Sequence, residues 1–115
     1  KLFQMETPLL RQTLLQVYGI GKETADAILC YGAARPLFVV DAYSKRIFHR
    51  LGWVGEVATY DQIQAMVQHA LPQEAHTLGE LHALIVQHAK IHCRRRPLCA
   101  GCPLSFCPEH SKVFP

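Results

Sequence analysis

Apolar residues recur at helical spacing along most of this 115-residue chain. Leu10 and Leu14 lie on one face of a first predicted helix, because residues four apart share a helix face. Thr7-Pro8 marks the start of this helix, since Thr can cap free N–H groups and Pro is tolerated in the first turn. A turn with two glycines at 19–21 is predicted to end it.

Four further helices are predicted from the same periodicity. They start at or just after four residues with capping side chains: Thr24, Asp41, Thr59 and Thr77. The last of them carries a wide apolar stripe made of Leu81, Leu84, Ile85, His88 and Ala89. Residues 37–40 form a short apolar run that could be a strand, but no second strand is evident. We therefore predict an all-α fold with helices of about 9–15 residues and short loops.

Half of the residues are apolar and 18% are charged, which suits one domain with its own core. Trp53 is predicted to anchor that core, and Cys30 to be a small buried residue. No apolar run approaches the roughly 20 residues that span a bilayer, and no basic and apolar leader opens the chain. We therefore expect a cytoplasmic protein without a membrane segment.

Charge is distributed in three blocks. Residues 1–54 have a balance of +3, residues 55–85 have −4, and residues 86–115 have +4. An acidic block between two basic ones suits a polyanionic ligand that is held at two places. Solubility alone is an equally simple explanation of the same charges.

The first motif with chemical meaning is the segment Gly19-Ile20-Gly21-Lys22 between two predicted helices. Two glycines permit a tight turn, and the helix that follows presents free N–H groups that suit a phosphate. Thr24 lies in the first turn of that helix. We predict phosphate contacts by the two glycines, Lys22 and Thr24, while an ordinary turn between helices is the simpler alternative.

A second motif places Asp41 between the apolar run at 37–40 and a basic helix. By itself Asp41 is most simply a helix cap. The alternative is a functional carboxylate held at a cleft beside a polyanionic ligand. Lys45 and Arg46 follow in the first turns, where they can reach phosphates or face solvent.

The third motif contains four of the five cysteines: Cys93, Cys99, Cys102 and Cys107. Four thiols within fifteen residues, in a protein without a leader, indicate a metal centre and a reducing compartment rather than disulfides. A four-cysteine zinc site and a 4Fe–4S cluster both fit this spacing. Arg94 and Arg95 lie in the first loop between these cysteines.

In this order, the three motifs resemble the endonuclease III branch of the HhH-GPD superfamily of DNA glycosylases, over essentially the whole chain. The resemblance implies a helix-hairpin-helix fold of two α-helical lobes, with a DNA cleft that receives a flipped nucleotide. It implies Asp41 as the catalytic residue, a 4Fe–4S cluster on the four cysteines, and double-stranded DNA with a damaged base as the partner. The implied DNA contacts are Gly19, Gly21, Lys22, Thr24, Lys45, Arg46, Arg94 and Arg95. Nucleoid association would follow from such a partner.

This sequence differs from the family pattern in three ways. Glu23 stands where bifunctional members have the lysine that forms a Schiff base, so we predict a monofunctional glycosylase that resembles the 3-methyladenine subgroup. Both outer gaps between the cysteines are one residue shorter than in typical members. Complete members carry about a hundred more residues before the hairpin, so much of the first lobe is expected to be missing and the chain alone to be inactive.

Three segments are predicted: the hairpin and Asp41 in 1–54, a helical lobe in 55–92, and the cluster loop and tail in 93–115. Two alternatives to the leading hypothesis stay open. One is a bifunctional glycosylase and lyase that uses another lysine. The other is a non-enzymatic helix-hairpin-helix DNA-binding module with structural zinc. The sequence does not indicate the damaged base or the oligomeric state.

Overall fold

The structure is a computed structural model that describes residues 4–109. Within this range the chain forms helices and no strand, which confirms the all-α prediction. The helices are α1 (Thr7–Leu15), α2 (Lys22–Ala27), α3 (Ala42–Arg50), α4 (Tyr60–Ala70) and α5 (Ala75–Ile91). A π-helical turn, Ile28–Gly32, continues α2. None of the described helices is long and apolar enough to cross a membrane.

Two helix starts follow the sequence closely. At α3, Asp41 accepts a hydrogen bond from the Ser44 backbone while the Ser44 hydroxyl accepts one from the Asp41 backbone. Thr59 and Gln62 form the same reciprocal arrangement at α4. Such a capping box satisfies two of the N–H groups that have no partner inside the helix.

Two other predicted starts are wrong. Thr7 is already inside α1, and its hydroxyl accepts a hydrogen bond from Nη1 of Arg35 at 3.0 Å instead of capping the helix. Helix α5 begins at Ala75, two residues before Thr77, and its N-cap Glu74 makes no side-chain cap. A third predicted start is also wrong, since α2 begins at Lys22, two residues before Thr24.

Residues 37–40 are extended but do not pair with a strand in the described part of the chain. Side chains of α4 take the place of that strand. Gln68 accepts a hydrogen bond from the Phe38 backbone at 3.0 Å, and Gln64 donates one to the Phe38 carbonyl at 3.0 Å. Since this segment is buried, its backbone groups need such partners, and α4 supplies them through polar side chains.

Two hydrophobic cores support the fold. The smaller one packs α1 against α2 and its continuation, through Leu10, Leu14, Ala25 and Leu29. The larger one joins the extended segment and the last three helices, through Phe38, Val40, Ile47, Phe48, Leu51, Ile63, Val67, Leu78, Ile85 and Ala89. Cys30 is buried as predicted.

Two apolar side chains that were predicted to be in the core are not. Leu84 is 57% exposed, because the buried stripe of α5 passes through Leu78, Ile85 and Ala89 instead. Trp53 is 55% exposed and stacks on Phe48 with ring centroids 5.8 Å apart.

Candidate functional site

The glycine turn is built as the sequence predicted, although its two glycines act differently. Gly19 has a φ of +88°, a left-handed conformation that side chains disfavour. Gly21 is extended, with φ −91° and ψ −175°, and is the N-cap of α2. Gly21, Lys22 and Thr24 are all exposed, so the start of α2 faces solvent.

Tyr60 of α4 connects this hairpin with the segment that leads to Asp41. Its hydroxyl lies 2.7 Å from Oδ2 of Asp26 on α2, and 3.4 Å from both the Lys22 carbonyl and the Val40 amide. Burial, followed by the hydrogen bond to Asp26, raises the pKa of Tyr60, so the phenol keeps its proton and donates it. One side chain therefore sets the position of α2 relative to the residue before Asp41.

Asp41 is buried, and both of its carboxylate oxygens have partners. Oδ1 accepts a hydrogen bond from the Ser44 backbone at 2.8 Å, and Oδ2 lies 3.0 Å from Nε2 of His82 on α5. Burial alone raises the Asp41 pKa, but the hydrogen bonds from His82 and Ser44 outweigh it and hold the pKa below its usual value. Asp41 is therefore an ionised carboxylate at neutral pH, as well as a helix cap.

Sequence reasoning missed the role of His82, which stands 41 residues from Asp41. Its other ring nitrogen, Nδ1, lies 2.8 Å from the hydroxyl of Tyr31, and that hydroxyl is 3.0 Å from the carbonyl of Gly79. The edge of the imidazole also contacts Phe38, with ring centroids 6.5 Å apart. Only proximity in space identifies this group, because no local pattern links the π-helical turn, α5 and the start of α3.

The four clustered cysteines line one small cavity of about 20 Å³ between α3, α5 and the following loop. Burial and the neighbouring thiols raise the pKa of Cys99. Nη1 of Arg50 lies 3.3 Å from the sulfur of Cys93, and Nε2 of His88 lies 3.6 Å from the sulfur of Cys102. Within residues 4–109 no three Cys, His, Asp or Glu side chains are grouped tightly enough to hold one metal ion. The thiols thus surround a cavity rather than a point.

Comparison with known proteins identifies several that are similar to this chain. No protein-family model matches the chain. A protein of Methanocaldococcus jannaschii, named a candidate DNA repair glycosylase, is 50% identical over 103 residues, which are 89% of this chain and 47% of that protein. Endonuclease III of Thermotoga maritima is 30% identical over 104 residues, covering 90% of this chain and 46% of the enzyme.

The fold agrees with the sequence. A solved structure of endonuclease III trapped as a covalent intermediate with DNA, an estranged-adenine complex, matches with a TM-score of 0.81 and 25% identity. The match covers 98% of this chain and 53% of that one. By sequence and by fold, this chain is similar to one part of endonuclease III and to one part of a candidate DNA repair glycosylase. It spans about half the length of the relatives that it matches.

Within this endonuclease III-like fold, Glu23 lies exposed in the first turn of α2, at the position that the resemblance assigns to the lyase lysine. Its neighbour Lys22 turns toward α4, where Nζ pairs with Oδ2 of Asp61 at 2.8 Å. The Lys22 amine is thus held as a hydrogen-bond donor to a carboxylate.

Arg46, which was predicted to contact DNA, is half-buried and turns toward the cysteine loop. Its Nε and Nη2 both donate to the Cys93 carbonyl, at 3.0 and 2.7 Å. Arg50, one turn later, donates to the carbonyls of Arg94 and Arg95. A guanidinium group can hold carbonyl oxygens in a fixed position, because its several N–H donors have a rigid planar arrangement. The basic face of α3 therefore fixes the cysteine loop directly to the helix that Asp41 begins.

The remaining predicted DNA contacts stay exposed. Lys45 faces solvent on α3, and the side chains of Arg94 and Arg95 are exposed on the loop whose backbone Arg50 holds. The larger core takes its buried residues from the first two predicted segments, divided at residue 54, and Cys93, Leu104 and Cys107 of the segment that starts after residue 92 pack against it. Residues 110–115 of the third segment lie outside the described residues.

Proposed function

We propose that the protein containing this chain is a monofunctional DNA glycosylase of base excision repair. It would hydrolyse the N-glycosidic bond of a damaged, alkylated base that has been flipped out of double-stranded DNA. The observation that carries this proposal is the ionised, doubly held carboxylate of Asp41, next to a hairpin whose helix start faces solvent. Similarity to endonuclease III supports the reaction class, and Glu23 at the position of the lyase lysine supports the absence of lyase chemistry.

The chemistry requires one negative charge at the sugar. As the bond from C1′ to the base breaks, the base leaves with the bonding electrons and positive charge builds on the sugar. The Asp41 carboxylate would stabilise that charge and orient a water molecule, whose oxygen bonds to C1′ while its proton passes to the carboxylate or solvent. N-alkylated purines are already cationic and leave as neutral bases without a general acid.

Asp41→Asn tests this assignment in the full-length protein. Asn caps helices about as well as Asp, so the fold should be retained while the charge is lost. We expect release of methylated bases from methylated duplex DNA to fall by at least a hundredfold, with duplex binding within a few fold of wild type. Asp61→Asn, an exposed acid on α4, is the matched control. Undiminished release by the Asp41 variant would remove the catalytic assignment.

Lyase activity is tested separately with borohydride. A monofunctional enzyme should give no covalent adduct with damaged duplex DNA, because no Schiff base forms. An adduct that disappears in Lys22→Gln would instead establish the bifunctional alternative.

We also propose that Cys93, Cys99, Cys102 and Cys107 hold a 4Fe–4S cluster. Four thiols that line one cavity can supply the four thiolate ligands of such a cluster. When bound, such a cluster would brace the loop that carries Arg94 and Arg95. Iron, acid-labile sulfide and zinc should be measured in anaerobically purified protein, where zinc without iron would favour the DNA-binding module instead.

A further inference from the structure

A chain of hydrogen bonds begins at Asp41 and includes two side chains that have no part in the proposed reaction. It runs from the Asp41 carboxylate to His82, from His82 to the Tyr31 hydroxyl, and from there to the Gly79 carbonyl. We propose that His82 and Tyr31 are positioning residues, which keep an N–H donor directed at Asp41 in either protonation state of the imidazole. This inference rests on the proposed role of Asp41.

The direction of each hydrogen bond follows from what each group can do. An ionised carboxylate only accepts, so Nε2 of His82 must carry the proton that points at Asp41. In the neutral imidazole Nδ1 is then an acceptor, which the Tyr31 hydroxyl satisfies at 2.8 Å. Burial, and to a lesser degree nearby Cys30, raises the pKa of Tyr31, so this hydroxyl keeps its proton for donation.

The Gly79 carbonyl gives the Tyr31 hydroxyl a second place for its proton. When Nδ1 of His82 takes up a proton, the imidazole donates there as well, and Tyr31 must accept. Rotation of the hydroxyl toward the Gly79 carbonyl, 3.0 Å away, makes this possible. Nε2 therefore donates to Asp41 in both states, and the positive charge of the imidazolium strengthens the same hydrogen bond.

The packing at this point depends on a residue without a side chain. A Cβ on Gly79 would lie 3.1 Å from Cε1 of Tyr31, closer than such atoms usually approach, and 3.5 Å from the sulfur of Cys30, an ordinary contact. Glycine inside a helix is less stable than alanine would be. At this position it admits the Tyr31 ring, and so the hydroxyl that holds Nδ1 of His82.

The titratable groups near the imidazole are few. Asp41 faces it from the start of α3, Tyr31 and Cys30 lie on the π-helical turn, and Glu80 is close by on α5. Of these, Asp41 and Tyr31 touch it directly. The imidazole side chain is only 18% exposed, which limits competition by water for its two nitrogens.

The first test needs no substrate. In full-length protein labelled with ¹⁵N at histidine, we expect His82 in its neutral form to show a protonated Nε2 and an unprotonated Nδ1. Tyr31→Phe should leave Nε2 protonated, because Asp41 still requires a donor there, and should change the chemical shift of the unprotonated Nδ1, which loses its own donor. A protonated Nδ1 with a bare Nε2 in the neutral wild-type imidazole would overturn the proposal, whatever the activity of the protein.

The second test is the pH dependence of base release from methylated duplex DNA, with spontaneous depurination subtracted. His82→Ala removes the donor, which destabilises the carboxylate, so the acidic limb should move to higher pH. Release near the acidic limb should fall by roughly tenfold, the effect of losing one hydrogen bond to a charged group. His82→Gln keeps a neutral donor and should return the limb toward wild type.

His76→Ala, which removes an exposed histidine of the same helix, is the control and should leave the profile unchanged. A merely structural role would lower release equally at all pH values and would not be rescued by glutamine, and that result overturns the proposal. Failure of the proposed catalytic role of Asp41 would be recognised separately, because the Asp41→Asn protein would then still release base.

Discussion

Arg11 and Asp26 join α1 to α2 through a two-pronged ion pair, in which Nε and Nη2 of the guanidinium lie 2.7 and 3.1 Å from the two carboxylate oxygens. Asp26 is fully buried, and Oδ2 also accepts hydrogen bonds from Tyr60 and Gln64 of α4. A buried carboxylate is tolerated only when donors surround it, and here four donors do so. The hairpin thus depends on one acidic residue for its attachment to the rest of the molecule.

Asp26→Ala should therefore destabilise the protein severely. The change leaves the four donor groups of three side chains without their acceptor. Breaking a buried ion pair in this way costs about 3–5 kcal/mol of folding free energy. Tyr60→Phe removes one hydrogen bond to the same carboxylate and should cost about 1.5–3 kcal/mol. Urea unfolding measures both. Asp61→Asn, which removes an exposed ion pair with Lys22, is the control, and an Asp26 variant as stable as this control would contradict the prediction.

The two hairpin glycines should respond differently to alanine. Gly19→Ala places a side chain in the left-handed region and should cost about 1–2 kcal/mol of folding free energy. Gly21→Ala is extended and its Cβ would meet no atom within 4 Å, so stability should hold. If the turn binds phosphate, the Gly21 variant should still lose affinity for duplex DNA, because the methyl group stands where the phosphate approaches. Thermal unfolding and fluorescence anisotropy distinguish the two effects, and unchanged binding by Gly21→Ala would argue against a phosphate site.

Two neighbouring basic residues of α3, Lys45 and Arg46, should respond differently to replacement by alanine. Lys45→Ala removes an exposed charge and should weaken DNA binding a few fold, with the salt dependence reduced by about one counterion. Arg46→Ala removes the donors that hold the Cys93 carbonyl, so it should loosen the cysteine loop. We expect faster proteolysis within residues 93–109 and less iron per chain for Arg46→Ala alone. Equal effects of both variants on DNA binding, with the loop intact, would show that Arg46 serves DNA instead.

Replacement of single cysteines should distinguish those that bind iron from the cysteine that is buried in the core. Cys99→Ser should abolish bound iron and the visible absorbance of a cluster, because one of four thiolate ligands is lost. Cys30→Ser is the matched control, since that thiol is buried against the Ala75 carbonyl at 3.6 Å, on the other side of α5. Iron content that persists in the Cys99 variant, or that falls equally in both, would contradict the assignment of the four clustered cysteines.

The sequence by itself determined the features that depend on neighbours along the chain. The capping boxes at Asp41 and Thr59 join residues three apart, so local order predicts them. The five helices follow from apolar spacing, and the glycine turn from the need for one positive φ. The family resemblance likewise arose from short motifs in a fixed order, and the comparisons confirmed it.

Only the tertiary structure decided which side chains face each other across elements. Asp26 lies on a helix where local pattern gives no reason to bury a charge, and its partners come from α1 and α4. His82 meets Asp41 across 41 residues, and Arg46 turns inward because the cysteine loop returns to α3. Helical periodicity states which residues share a face, but the angle and depth at which helices pack determine what that face meets, and these depend on all the cores together.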